Sequence, residues 1–272
     1  SGRMIFTVKN DFMISALLVN PDRCMSVTIS SNEKNCNPIY HGIKDRCTRE
    51  SLLCRRTSMK EMLSSHNYMH SILSLHSKWG IGHMTEHFLP DDLFHEILDL
   101  LKSSNDELFF DEDHLCYLHS MTQRTLAESE IDLFIHCQAL SDLVVDGNLD
   151  FYDQKVHLTL SQRKKYFNHL LHVFETNSNL TFKLAKEPMI LDFKYQTNQC
   201  IFLSDQFSYI RLSTYNWANN LAIINHPNLK HMFDRFFNAV WNDATSELLS
   251  DYSEIHSFFV HIIQQINILS EI

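Results

Sequence analysis

Apolar residues between positions 4 and 31 fall into three short runs, IFTV, FMISALLV and MSVTI, separated by Asn10-Asp11 and by Asn20-Pro21-Asp22. Runs of this length broken by turn formers predict a small antiparallel meander. From Thr57 to Ser77 the period lengthens, with Met, Leu, Tyr and Ile recurring at helical spacing, and Trp79-Gly80-Ile81-Gly82 then interrupts it as a hinge or boundary. Pro90-Asp91-Asp92 opens a second helix. Its acids complement the positive end of the macrodipole, and Leu93, Phe94, Ile97, Leu98, Leu100 and Leu101 supply the apolar stripe. Asp111-Glu112-Asp113 starts a third over His114 to Glu128 by the same logic.

After residue 130 the pattern mixes periods. Ile131 to Ile135 reads as a buried strand, Asp146-Gly147 as a turn, and Val156, Leu158 and Leu160 alternate as a strand does. A helix follows from Ser161 to Glu175 with Tyr166, Phe167, Leu170, Leu171 and Phe174 on one face. Leu180 to Leu184 is a strand, Ile201 to Leu212 a hairpin and Leu221 to Ile224 a further strand, and Pro227 opens a helix presenting Leu229, Met232, Phe233, Phe236, Phe237, Val240 and Trp241. The last helix, from Ser246, carries Leu248, Tyr252, Ile255, Phe259, Ile262, Ile266 and Leu269 in alternating steps of four and three, a coiled-coil seam that Leu249, Phe258 and Ile263 broaden. So wide an apolar face needs more than one partner helix. Either the chain's own core covers it, or these seven positions form a homodimer interface.

The fold class expected is α/β or α+β: a small N-terminal β meander, a helical middle section, and a C-terminal mixed sheet flanked by helices with a long terminal helix. The corresponding divisions are a basic segment 1–80, a helical connection 81–130 and an α/β ligand-binding section 131–272.

Composition narrows the chemistry. The 272 residues are 44% hydrophobic and 21% charged, which suits a folded core. Backbone phosphate cradles need clustered glycines, and of five glycines only Gly80 and Gly82 stand close together, so nucleotide-binding loops of the common kinds are not expected, nor is a cofactor. Seven cysteines without a Cys-x-x-Cys read as reduced thiols, and no apolar run reaches the roughly 18 residues of a membrane span, which places the chain in the cytoplasm. Of the charged residues, 10 Lys/Arg against 5 Asp/Glu lie in residues 1–60, leaving 13 against 28 in the remainder. That body repels a phosphate backbone, so nucleic acid could be contacted only through residues 44–60, where Lys44, Arg46, Arg49, Arg55, Arg56 and Lys60 otherwise form a solvated helix face.

Catalytic patterns are missing. There is no Gly-x-Ser-x-Gly, and Cys137 beside His136 on a strand would point to the opposite face, which makes it structural. His66/His70 and His83/His87 have the four-residue spacing of helix-borne metal ligands but no recognisable third ligand, so no metal is expected. Binding is better supported. Arg163, Lys164 and Lys165 crowd the start of a helix whose free N–H groups already carry positive potential, an arrangement that a bound anion would relieve. The alternative is that they extend into solvent or pair with the body's acids. Trp217, in a polar loop, and Tyr209 offer aromatic ligand contacts.

The segments IDLFIHC, VHLTLSQRKKYFNHLL, LTFKLAKE, CIFLSDQFSYIRL and NLAIINHPNLKHMFDRFFNAVW, within residues 131–241, resemble in their order the degenerate phospholipase D-like sensor regions of bacterial transcription regulators. An active member carries His-x-Lys-x-x-x-x-Asp. Here His157 is followed by Thr159 in place of Lys, and His76-Ser77-Lys78 has His83 where the Asp should stand. The resemblance therefore implies binding without hydrolysis, with His157 in the ligand set. No helix-turn-helix reader is recognisable in residues 4–80. The function expected is a cytoplasmic regulatory or ligand-sensing protein for a small anionic molecule, as part of a transcription regulator. The alternatives are a hydrolase using His and Asp/Glu groups and a protein–protein interaction module.

Overall fold

Turn formers fold the first three apolar runs into an antiparallel sheet of strands β1 (Gly2–Thr7), β2 (Met13–Asn20) and β3 (Arg23–Ser30), in that order. Asn10 takes the left-handed backbone, φ 60°, that the first turn requires. Helix α1 (Glu33–Arg49) follows, and its Cys36 is buried with Sγ 3.3 Å from the carbonyl of Ser30. The computed structural model describes residues 2–20, 23–49, 54–65, 67–103, 111–152, 154–186, 199–212, 220–242 and 248–270. The meander and α1 belong to a compact unit, Ser1–Leu53; the second unit is Cys54–Ile272.

The second unit begins with β4 (Cys54–Thr57), α2 (Met59–Ser64), α3 (Asn67–Ile72) and β5 (His76–Ile81). The helix expected from Thr57 to Ser77 is thus two short helices and the start of a strand, and the expected hinge at Trp79-Gly80 is the middle of β5. The Trp79–Ile81 end of the strand is buried on both faces and shows no alternation, which is why it reads as an interruption. Its glycines serve packing. A Cβ on Gly80 would stand 2.6 Å from the Phe134 ring, and one on Gly82 would stand 2.3 Å from the Gln199 carbonyl oxygen. The division expected near residue 80 therefore cuts a central strand, whereas the compact units part after Leu53.

Beyond a 3-10 turn at Glu86–Phe88 come α4 (Asp91–Ser103), α5 (Glu112–Glu128), β6 (Glu130–His136) and α6 (Cys137–Asp146). The acid-led starts of α4 and α5 are as expected, except that Leu100 lies outside the buried stripe, 48% exposed. Cys137 begins a helix that the sequence reading did not contain, with Ala139, Leu140, Leu143 and Val144 buried. A two-stranded ribbon, β7 (Asn148–Phe151) and β8 (Gln154–His157), precedes α7 (Leu160–Thr176) and β9 (Leu180–Ala185). The chain closes with β10 (Gln199–Ser204), β11 (Tyr209–Leu212), β12 (Leu221–Ile224), α8 (Pro227–Trp241), β13 (Leu248–Leu249) and α9 (Tyr252–Ser270).

Eight strands form one sheet in the order β13-β9-β6-β5-β10-β11-β12-β4. β5, β6 and β9 run parallel, joined by helical crossovers, and the remaining pairs are antiparallel, so the unit is mixed α/β. The sheet's two faces are unequally covered. Trp79, Ile81, Leu133, Ile135, Phe182, Leu184 and Phe202 share the large core with residues of α4, α5, α6, α7 and α9, whereas Phe134, Ala185, Ile201, Leu203 and Ile224 form a small core with Phe237 of α8. Phe237 is the one buried side chain of that helix. Four of the seven positions expected at a homodimer interface, Ile255, Phe259, Ile262 and Ile266, are buried in the chain's own core, where α9 packs on α7. Tyr252 stacks on Phe174 at 5.4 Å, Leu248 pairs with Ala185 on the sheet edge, and Leu269 is 42% exposed. No described helix is long and apolar enough to cross a membrane.

Candidate functional site

Helix α7 starts with a capping box, in which the amide of Gln162 donates to Thr159 Oγ1 at 3.3 Å and the amide of Thr159 donates to Gln162 Oε1 at 3.0 Å. The cations behind it face different ways. Arg163 is buried and turns back, donating from Nε to the Leu158 carbonyl at 2.9 Å and from Nη1 to the Val144 carbonyl at 2.7 Å. It thereby neutralises the negative end of α6, whose last residues leave carbonyls without helical partners. Gly147, at φ +68°, ends α6 in the left-handed conformation and leaves the space that the guanidinium occupies, since a Cβ there would lie 2.1 Å from Arg163 Nη2. Lys165 is paired with Glu96 and, at 3.2 Å, with Asp92, both on α4. Lys164 is exposed, and so is His157 on β8, whose Nε2 is 3.4 Å from Arg163 Nη2. Tyr209 is enclosed in the large core, stacked on Phe202 at 4.7 Å, and Trp217 lies outside the described residues. The structure therefore joins His157 to Arg163 but gives Arg163 and Lys165 partners within the chain.

The basic run 44–60 is distributed over α1, β4 and α2, where Arg55 pairs with Glu61 at 2.6 Å. His76 and His83, compared above with a hydrolytic motif, stand at opposite ends of β5.

Two constellations that the sequence did not announce occupy the two ends of the parallel strands. The first lies beyond their carboxyl ends, inside the large core. Arg211 Nη1 donates to both carboxylate oxygens of Glu86 at 2.8 Å, with side-chain exposures of 0% and 3%, and its Nη2 donates to the Tyr152 carbonyl at 2.7 Å. Burial works against charge on Glu86, but the Arg211 guanidinium outweighs it and keeps its carboxyl below the usual range. His87 stacks on Phe202 at 4.9 Å, and its Nδ1 lies 2.8 Å from Thr85 Oγ1. Burial, reinforced by the positive charges of Arg211 and His83, pushes His87 down to about 4 despite Glu86, so it is neutral.

His83 sits at the edge of this cluster. Its Nε2 is 3.1 Å from Asp150 Oδ2 on β7, and its Nδ1 is 3.4 Å from Cys200 Sγ on β10. Burial lowers the affinity of His83 for a proton, yet the sulfur of Cys200 and the carboxylate of Asp150 prevail and raise it to about 10. Burial likewise opposes ionisation of Cys200, and the His83 imidazolium overrides it, drawing the thiol below its ordinary value. Among the described residues no three His, Cys, Asp or Glu side chains are disposed to hold a metal ion.

The second constellation is a concavity of about 460 Å³ at the amino ends of β5, β6 and β9, closed on one side by the end of β10 and by α8. Four carboxylates line it, Glu130, Asp132, Asp205 and Asp234, against Lys78, Lys230 and His76. His76 pairs with Glu130 at 2.8 Å, Lys78 with Asp234 at 3.3 Å and Lys230 with Asp205 at 3.9 Å. Asp132 forms no ion pair among the described residues; burial raises its carboxyl above the ordinary value although Lys78 and Lys183 pull the other way. Ser77, also in the lining, is 5% exposed, and its buried hydroxyl has no hydrogen-bond partner among the described residues. Asp132 could have been singled out as the one acid inside the apolar run IDLFIHC. The Cys200–His83–Asp150 grouping could not, because its members are 117 and 67 positions from His83 and no local spacing connects them. No protein-family model, no curated protein and no solved structure matches this chain.

Proposed function

We propose that this protein is a cytoplasmic regulatory protein that senses a small molecule in the concavity between the amino ends of β5, β6 and β9 and helix α8. The observation that carries the reading is the Asp132 carboxylate, which forms no ion pair among the described residues in a cup whose other three carboxylates, Glu130, Asp205 and Asp234, are paired. A ligand bearing a positive nitrogen would give that half-buried carboxylate the opposite charge it lacks. The sign of the ligand follows from the lining, where four carboxylates face two lysines and one histidine. The anion suggested by Arg163, Lys164 and Lys165 is less well served, since Arg163 and Lys165 already have partners in α6 and α4. The free thiols of Cys36, Cys54, Cys116, Cys137 and Cys200 suit a reducing compartment.

Thermal unfolding against a panel of amines and amino acids, set beside phosphates and dicarboxylates, tests this. A ligand at about 100 times its Kd adds about 2.7 kcal/mol, a shift of several degrees. Amines are expected to give that shift in the wild type and to lose it in Asp132→Asn. A shift with anions alone, or an amine shift unchanged in Asp132→Asn, overturns the reading.

A further inference from the structure

The Cys200–His83–Asp150 grouping plays no part in that concavity, and its chemistry is of another kind. A thiol 3.4 Å from one imidazole nitrogen, with a carboxylate 3.1 Å from the other, is the arrangement that sets up a sulfur nucleophile: the carboxylate orients the ring, and the ring holds the proton that the sulfur gives up. The other described thiols lack this support. Burial raises Cys116 and Cys137, the latter to about 11, and neither has an imidazolium that draws it down. Cys200 is also fully enclosed, and His83 and Asp150 are 9% and 3% exposed, which bars bulky or strongly hydrated substrates. A reagent that reaches the sulfur must be uncharged and close to water in size, and enters by local opening of the structure.

We propose that Cys200 is an oxidation site for hydrogen peroxide, with His83 and Asp150 as its positioning residues. The Cys200 sulfur, as thiolate, attacks one oxygen of the peroxide; the S–O bond forms as the O–O bond breaks. Sulfur is oxidised by two electrons to the sulfenic acid and the peroxide is reduced. The departing hydroxide takes the proton of His83 and leaves as water, so no further reductant or oxidant is needed. The product replaces a thiolate–imidazolium pair with a neutral sulfenic acid and a neutral imidazole, which removes both charges from beside the cluster that contains Glu86 and Arg211. This gives the protein a second input, independent of the concavity.

The test uses the full chain, reduced, treated with hydrogen peroxide while folded, then freed of peroxide with catalase, unfolded in the presence of dimedone so that every sulfenic acid is reached, and mapped by peptide mass spectrometry. Cys200 is expected to take the label ahead of the exposed Cys54, and Cys200→Ser to lose it. In an Asp150→Asn variant that keeps the wild-type circular dichroism, labelling of Cys200 is expected to slow about tenfold or more. His83→Gln provides the same comparison if Asp150→Asn fails to fold. Labelling of Cys54 ahead of Cys200 in the folded wild type overturns the proposal without any variant, and an unchanged rate in a folded Asp150→Asn overturns the role given to the His–Asp pair.

Discussion

Arg211 and Glu86, beyond the carboxyl ends of the parallel strands, leave 0% and 3% of their side chains exposed; Lys78 and Asp234, at the amino ends, leave 29% and 30%. Both are ion pairs spanning more than a hundred residues of sequence, yet they act differently. Around Arg211 the pair is enclosed in the core, with Tyr68, Tyr152 and Tyr209 close to it and Nε without an acceptor among the described residues. Such a pair is fixed, because separating it strands a charge in a medium of low dielectric. Around Lys78 water reaches both partners, and the pair can open to admit a ligand at little cost. In doubly wound sheets ligands usually bind at the carboxyl ends of the strands. Here the carboxyl ends are closed by the buried cluster, and the open concavity lies at the amino ends.

The contrast is sharpest at Arg211. Arg211→Met leaves Glu86 buried without its cation and is expected to lower stability by about 3–5 kcal/mol, read from urea unfolding. A loss below about 1 kcal/mol would mean that the cluster is as yielding as the concavity. On the thinly covered face, Phe237→Ala removes the one buried side chain of α8 and should cost about 3 kcal/mol. Hydrogen exchange should then show α8 deprotected while α9 stays protected, and equal loss in both helices would show that the two faces are not independent.

A smaller effect comes from pH. His87 is neutral in the folded protein at about 4, against an ordinary value of about 6.5, so the unfolded chain binds the extra proton. Its contribution is complete above about pH 6.5 and is lost as the pH falls toward 4, at about 1.4 kcal/mol per pH unit. Unfolding measured across that window should show the slope reduced by one proton in His87→Gln; an identical slope would mean that His87 titrates normally. Least affected is the exposed pair. Lys78→Met should change stability by less than about 1 kcal/mol while altering the ligand response of the concavity, which separates a binding role from a structural one.

Periodicity fixed much of the architecture in advance. The meander, α4, α5, α7, β9, the β10–β11 hairpin, β12 and α8 are legible as local patterns because each buries one face or stripe and announces its ends with turn formers or acids. β5 and α6 are not. β5 is short and its Trp79–Ile81 end is buried on both faces, so its residues show no sustained alternation, and the short stripe of α6 follows directly on the apolar run of β6 and cannot be told from a continued strand. The basic cluster at the start of α7 was visible, but its purpose was not: the carbonyls that Arg163 meets belong to Val144 and Leu158, and a sequence does not say which helix end lies opposite which.

What the chain determines by itself is the set of amphipathic elements, the shortage of clustered glycine, and the acidity of its larger part, since these depend on residue type and near neighbours alone. What only the tertiary structure decides is the company each polar group keeps. Cys200 meets His83 and Asp150, Arg211 meets Glu86, and Asp132 comes beside Lys78 only after the sheet has brought distant strands side by side. Burial and distance set whether a charge is fixed or exchangeable, and both are properties of the packed molecule.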